Sequence, residues 1–312
     1  MSKILGPCAA ALFACVPIVS PRAADARSTL PRYDHIIIVI EENKDYEQII
    51  GNNDAQYINK LASEGASLSH MFAEEHHSEG NYFWLFSGNN QNVGFQDKIP
   101  KIKFTTSNLG QRLIQKDLSF KGYSEGLPTI GSEVERHKKY ARKHVPWISF
   151  ANLPKGTTVE ISSNLRFMDF PSDYGMLPTV AFVIPDLDND MHDGTIATGD
   201  LWLKQNIDRY YQWAKTHNSL LIVTFDENSD GTEGLTDPAA SSELKQNRIV
   251  TVFAGEHVKP GYGATQGMTH VNILRTIEAM YGLPKSGTQQ AYALRAGISD
   301  GATTADVFVP AQ

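Results

Sequence analysis

Four runs along the chain are nearly continuous in apolar residues: Ile36–Ile40, Val180–Ile184, Leu220–Phe225 and Ile249–Phe253. A strand with one wet face alternates apolar and polar positions, whereas a strand buried on both faces reads as an unbroken run. Between these runs lie segments with helical spacing. Asp54–Gly65 closes on a glycine, Leu201–His217 carries apolar residues three and four apart, and His270–Leu283 reaches Gly282 just ahead of Pro284. Strands alternating with helices predict an α/β fold, a mostly parallel sheet covered on both sides to give three α/β/α layers.

Three of the apolar runs end in acids. The stretches are "YDHIIIVIEEN" from Tyr33, "TVAFVIPDLDNDMHD" from Thr179 and "LLIVTFDEN" up to Asn228. Ligands of open parallel sheets bind beyond the carboxyl ends of the strands. The three acidic tips are therefore expected on one rim.

The N-terminus reads differently. Lys3, the apolar "ILGPCAAALFACVPIVS" and the small residues of "PRAADA" form a secretory signal over residues 1–26, with Ala24-x-Ala26 as the cleavage site. Residues 27–312 are then a single domain, periplasmic or secreted. A lipoprotein box ending at Cys15 is the alternative, weakened by Phe13. Cys8 and Cys15 are the only cysteines, so the processed chain has no disulfide and relies on its core. The formal net charge is −7, which argues against a nucleic-acid backbone as partner. No second apolar run approaches the roughly 20 residues of a membrane span, so stable insertion is not expected.

From about 96 to 177 the pattern is irregular and rich in Gly, Pro and Lys, and is read as a cap over the rim. Ser132–His144 within it is expected as a basic helix whose Arg136, Lys138, Lys139 and Arg142 face solvent. The C-terminal "GTQQAYALRAGISDGATTADVF" is expected as an edge extension.

Carboxylates gathered on one rim repel unless a cation lies between them, and hard divalent cations take carboxylate and amide oxygens. Glu42, Asn43, Asp226 and Glu227 offer such oxygens. In "EEHHSEGNYFWLFSG", Ser78 opens an apolar helical run, with Gly80 permitting close approach and Asn81 three residues on. A serine there is commonly a helix cap. It is also well placed as a nucleophile, since the helix dipole and a metal both favour its ionised form. Asn81 is a candidate donor to an anionic oxygen. Of the adjacent His76 and His77, at most one faces the site.

"IVIEENKDYEQIIG", "HHSEGNYFWLFSG", "KHVPWISF", "IPDLDNDMHDG", "TFDEN" and "THVNILRTIEAMYGL" together resemble the bacterial phosphoesterase family of acid phosphatases and phosphatidylcholine-type phospholipases C. That family is similar to the alkaline phosphatase superfamily. The resemblance runs from Tyr33 to about Pro284. It implies an alkaline phosphatase-like fold, one divalent metal ion, and a metal-assisted Ser nucleophile acting on small phosphoesters. Carried over by position, Glu42, Asn43, Asp226 and Glu227 are metal ligands and Ser78 is nucleophile and ligand. Asn81, His77, His144, His192 and His270 line the phosphate site, with Asn81 and His192 also catalytic. The chain departs from many relatives at His77 and Gly80, where they have prolines. A two-metal variant would draw on Asp188 or Asp190 with His192 and His270; the single ion is the expectation.

The leading function is thus an exported acid phosphatase. A phospholipase C-type phosphodiesterase is the alternative, disfavoured by the absence of a long C-terminal extension. A sulfatase is disfavoured because no cysteine survives processing. A non-catalytic metal- or phosphate-binding protein is the reading from another class. No protein partner is inferable.

Overall fold

A computed structural model describes residues 30–93, 97–229 and 247–309. The signal segment and the cleavage site lie outside the described residues. An eight-stranded sheet forms the centre. Its strands in chain order are β1 (His35–Glu41), β2 (Ala66–Leu68), β3 (Phe120–Ser124), β4 (Asn164–Arg166), β5 (Val180–Ile184), β6 (Ser219–Phe225), β7 (Thr251–Gly255) and β8 (Tyr262–Ala264). In space they run β8–β2–β7–β6–β1–β5–β3–β4. All pairings are parallel except those of β7, which is antiparallel to both neighbours. The mostly parallel sheet is as expected.

The first three apolar runs fall in central strands, and the fourth is split, Ile249 pairing with Met71 in a small three-stranded sheet before Thr251–Phe253 enter β7. Every residue of β5 and β6 is buried, as are residues 36–41 of β1. Helices α1 (Gln56–Glu64) and α3 (Ile196–Ala214) pack against each other, and so do α2 (Ser78–Ser87) and α4 (His270–Met280). Helix α2 is buried along its whole length, and its unbroken apolar run Tyr82–Phe86 needs cover on all sides. Its Phe86 meets Phe182 of β5 edge-on, ring centres 5.6 Å apart.

Four expectations change. Residues 96–177 are not only a cap, because β3 and β4 lie inside that span and extend the sheet beyond β5. Ser132–His144 is not a helix. Residues 136–137 and 140–141 pair as a hairpin and Arg142–His144 is a single 3₁₀ turn. The two residues between the strands form the turn, and Lys138 takes the positive φ of 53° that such turns demand. Helix α3 begins five residues earlier than its apolar spacing indicates, at Ile196. Thr195 caps it, its hydroxyl accepting from Thr198 N at 3.1 Å. The C-terminal segment meets the body through an antiparallel bridge, Val258 to Phe308, without forming an edge strand.

Candidate active site

Register brings the acidic tips together. Glu41 of β1 pairs with Phe225 of β6, so Glu42 and Asp226 leave adjacent parallel strands side by side. The third tip follows β5, and Glu42 N donates to Asp190 O at 2.7 Å. Side chains alternate across a sheet. Glu42 therefore faces the α2 layer, while Glu41 is buried towards Asp190, Asp200 and Glu125. One of the two glutamates in "IEEN" enters the site and the other does not.

Ser78 is the first residue of α2 and reaches this rim. Its Oγ donates to Glu42 Oε2 at 3.0 Å and lies 3.2 Å from Glu227 Oε1. The other oxygen of Glu227 is held by His76 Nδ1 at 2.6 Å. Asn43 sits at a left-handed φ of 51°, and its backbone N donates to Asp226 Oδ1 at 3.1 Å. One end of its side-chain amide lies 3.2 Å from Glu42 Oε2 and 3.1 Å from Asp226 Oδ1. As nitrogen that atom donates to both carboxylates. As oxygen it completes a set of anionic and carbonyl oxygens that a cation holds together.

The opposite oxygen of Glu42 accepts from Tyr82 OH and lies 3.2 Å from His144 Nε2. That nitrogen is buried and makes no hydrogen bond among the described residues, and neither does Asp190 Oδ2. Donor atoms of Glu42, His144 and Asp190 fall within 4.8 Å of one another. Orphaned buried atoms are costly, and a neutral imidazole beside two carboxylates is a fitting metal donor set. The residues present thus fit a divalent ion.

The electrostatics agree. Burial, reinforced by Asp226 and Asp190, drives the Glu42 carboxyl well above its usual range. Burial raises Asp190 and Asp226 likewise, and pushes Glu227 up to about 7 against the pull of His76. His144 is held well below its ordinary value by burial and by Lys143, His192 and Arg136, so it stays neutral. For Lys143, burial pulls downward but Glu42, Asp97 and Asp226 outweigh it. Its Nζ pairs with Asp97 Oδ2 at 2.8 Å, and Asp97 Oδ1 caps the backbone N of Glu79 at 3.0 Å.

The other candidates divide. His192 lies at the rim with its ring centre 6.3 Å from that of His144, and Asp193 Oδ1 holds its Nδ1 at 2.7 Å. Asn81 is buried just behind Ser78. Its oxygen accepts from Glu74 N and Glu75 N, and its nitrogen donates to Glu75 O at 2.6 Å, which leaves one amide hydrogen. His77 is partly exposed and has no hydrogen-bond partner among the described residues. His270 is not at the rim's surface. Its Nδ1 meets Glu74 Oε2 at 2.6 Å and its Nε2 meets Phe225 O at 2.8 Å. Burial lowers its pKa, but Glu74 more than compensates and holds it above the ordinary value. Gly80 is explained by Glu75, whose Oε1 would lie 1.7 Å from any Cβ there.

The sequence profile of the phosphoesterase family matches residues 52–284. The chain belongs to the phosphoesterase family. It is 45% identical over 285 residues to a phosphatidylinositol-3-phosphatase of Mycobacterium tuberculosis, covering 91% of this chain and 89% of that one. An acid phosphatase of Aspergillus fumigatus is 28% identical over 263 residues, which are 79% of this chain and 54% of the fungal one. The fold is that of the alkaline phosphatase superfamily. A superfamily protein from Vibrio parahaemolyticus superposes with a TM-score of 0.56 at 10% identity, covering 85% of this chain and 72% of that one. This phosphoesterase is accordingly a hydrolase of phosphoric ester bonds.

Ser78, His144, Asp190, His192, Asp226 and Glu227 lie inside the family match, and Glu42 and Asn43 just ahead of it. Sequence reasoning left His76 and His77 as alternatives and carried His77 over, whereas His76 is the one that meets Glu227; it missed Tyr82 and Lys143. Tyr82 stacks on His144, ring centres 5.0 Å apart, and stands one helical turn from Ser78. That spacing was the available signal.

Proposed function

We propose that this phosphoesterase is an exported, divalent-metal-dependent acid phosphatase that hydrolyses phosphomonoesters through a phosphoserine at Ser78. The observation that carries the reading is the Ser78 hydroxyl shared between the Glu42 and Glu227 carboxylates, 3.0 and 3.2 Å away. Glu42, Asn43, Asp226, Ser78 and Glu227 would hold a divalent ion, and His144 and Asp190 lie on the other side of Glu42. When bound, the cation supplies electrostatic stabilisation of negative charge on the serine oxygen and the phosphoryl oxygens.

The chain's own groups handle the protons. Ser78 Oγ forms a bond to phosphorus as the ester oxygen leaves, and Glu227 Oε1, 3.2 Å from the hydroxyl, accepts the serine proton. Its Oε2 is fixed by His76, so the base does not rotate away. His192 keeps Nε2 open for the departing oxygen or for a non-bridging one. Water then attacks the phosphoserine, the P–Oγ bond breaks, Glu227 returns the proton to Ser78 Oγ, and inorganic phosphate leaves.

Dialysis against a chelator tests the reading. Hydrolysis of p-nitrophenyl phosphate should disappear and return on adding a divalent ion. Full activity in excess chelator contradicts it.

A further inference from the structure

Beside the site lies a face with an unusual composition. Residues 97–104, 131–144 and 154–161 carry nine Lys and Arg against four Asp and Glu, in a chain whose formal net charge is −7; of the nine, Arg142 is buried and Lys139 pairs with Asp188 and Asp193 outside these segments. Four aliphatic side chains stand out of the same strip: Ile102 is 71% exposed, Ile161 60%, Val159 41% and Val134 39%. Single exposed apolar residues are ordinary. Four gathered among lysines on one face are not.

The three segments form one surface. Lys103 Nζ pairs with Glu133 Oε2 at 2.6 Å, and Lys155 Nζ lies 3.9 Å from Glu133 Oε1. Gly156 N donates to Ile161 O at 2.9 Å. Lys98, Lys101, Arg136 and Lys143 share a cleft of about 340 Å³ in the same surface with Asp97 and Glu135, four cationic side chains against two anionic ones. Lys143 ties the cleft to the catalytic helix through Asp97, which caps the residue after Ser78.

We propose that this face docks on an anionic phospholipid surface. The docking stands on the surface alone and does not depend on the phosphatase reading above. Aliphatic tips that project singly between basic residues suit an interface, where apolar groups enter the acyl boundary and ammonium groups stay with the headgroups. A protein partner with an apolar anchor is better served by a concave apolar groove, and the cleft here is lined by charge. Among the described residues no helix is long and apolar enough to cross a membrane, so attachment through this face is peripheral. Each basic residue at an anionic surface strengthens binding by about fivefold.

Co-sedimentation of the full chain with vesicles tests the proposal. Three compositions are compared: phosphatidylcholine alone, with phosphatidylserine, and with a phosphatidylinositol phosphate. Both anionic mixtures should retain the protein and phosphatidylcholine alone should not. Soluble inositol phosphate should not displace it, which separates a lipid surface from a free headgroup. The double variants Lys98→Glu/Lys101→Glu and Ile102→Ser/Ile161→Ser should each bind at least tenfold more weakly, with turnover of p-nitrophenyl phosphate unchanged. Equal sedimentation with neutral and anionic vesicles, wild-type binding by the charge-reversal variant, or displacement by the soluble headgroup overturns the proposal. Binding is read without turnover. An inactive protein that still sediments sinks only the phosphatase reading, and an active one that does not sediment sinks only the docking.

Discussion

Ser78 Oγ donates to Glu42 Oε2 at 3.0 Å, joining the first turn of α2 to the tip of β1 across 36 residues of chain. The bond sits in a fully buried group of carboxylates, each held above its usual range by burial, with neighbouring carboxylates adding to the rise at Glu42 and Asp190 while Ser78, Lys143 and two backbone N–H groups oppose it at Asp226. Such a group is costly to fold without a cation and well suited to bind one.

Removing one of those charges should separate the two consequences. Asp226→Asn keeps an acceptor for the backbone N of Asn43 and Glu227, at 3.1 and 2.7 Å, yet relieves the repulsion. In chelator, the variant should melt at a higher temperature than wild type by calorimetry. With divalent ion present, it should lose at least a hundredfold in kcat/KM, about 2.7 kcal/mol of transition-state stabilisation. A variant that is both less stable in chelator and fully active shows that Asp226 is a structural acid.

His270 is expected to matter for the fold and not for phosphate. Both its nitrogens are spent on Glu74 and Phe225 O, and Glu74 also caps the start of α4 through Val271 N at 2.9 Å. His270→Ala leaves a buried carboxylate unpaired, which costs about 3–5 kcal/mol. Urea unfolding should show that loss, while KM of the folded fraction stays within about twofold. A raised KM at unchanged stability returns His270 to the phosphate site.

These contrasts mark what is legible in a single sequence. Glu42, Asn43, Asp226 and Glu227 were readable because buried parallel strands force whatever follows them onto one rim. Strand β3 was not, since "FKGYS" is broken by Lys121 and Gly122; the glycine is there because Trp147 packs where a Cβ would stand, 2.1 Å away. The hairpin at residues 136–141 was hidden by good helix formers such as Arg136, Lys138 and Ala141, whose propensity yielded to tertiary pairing. Choosing between His76 and His77 needed the position of Glu227, a contact 151 residues away.

Stability without metal should fall as pH rises. Burial raises Glu75 and Glu227 to about 7 and Glu79 to about 8, above the ordinary carboxylate value near 4.5. The folded protein then keeps protons that the unfolded chain releases. The contribution is complete below about pH 4.5 and lost by about pH 7–8. His144, kept neutral by burial, opposes this below its ordinary value but is one group against several. The melting temperature in chelator should therefore be higher at pH 5 than at pH 8, and a divalent ion should narrow the gap. A higher value at pH 8 in chelator contradicts this arrangement.

His192 distinguishes two roles at the leaving-group side. A general acid matters most for a poor leaving group and is worth about a hundredfold or more. His192→Ala should reduce alkyl phosphate hydrolysis by that factor and p-nitrophenyl phosphate hydrolysis far less. Equal losses on both substrates leave His192 as an oxygen-binding group, and no loss on either removes it from the site.

The most direct test of the account is to trap the phosphoryl group. Rapid acid quenching of the metal-loaded enzyme during turnover, followed by peptide mass spectrometry, should find one phosphoryl group on Ser78 that disappears when substrate is exhausted. Ser78→Ala should lose about a thousandfold in kcat, roughly 4 kcal/mol. An unmodified Ser78 peptide throughout turnover, together with a Ser78→Ala variant that works at the wild-type rate, would contradict it.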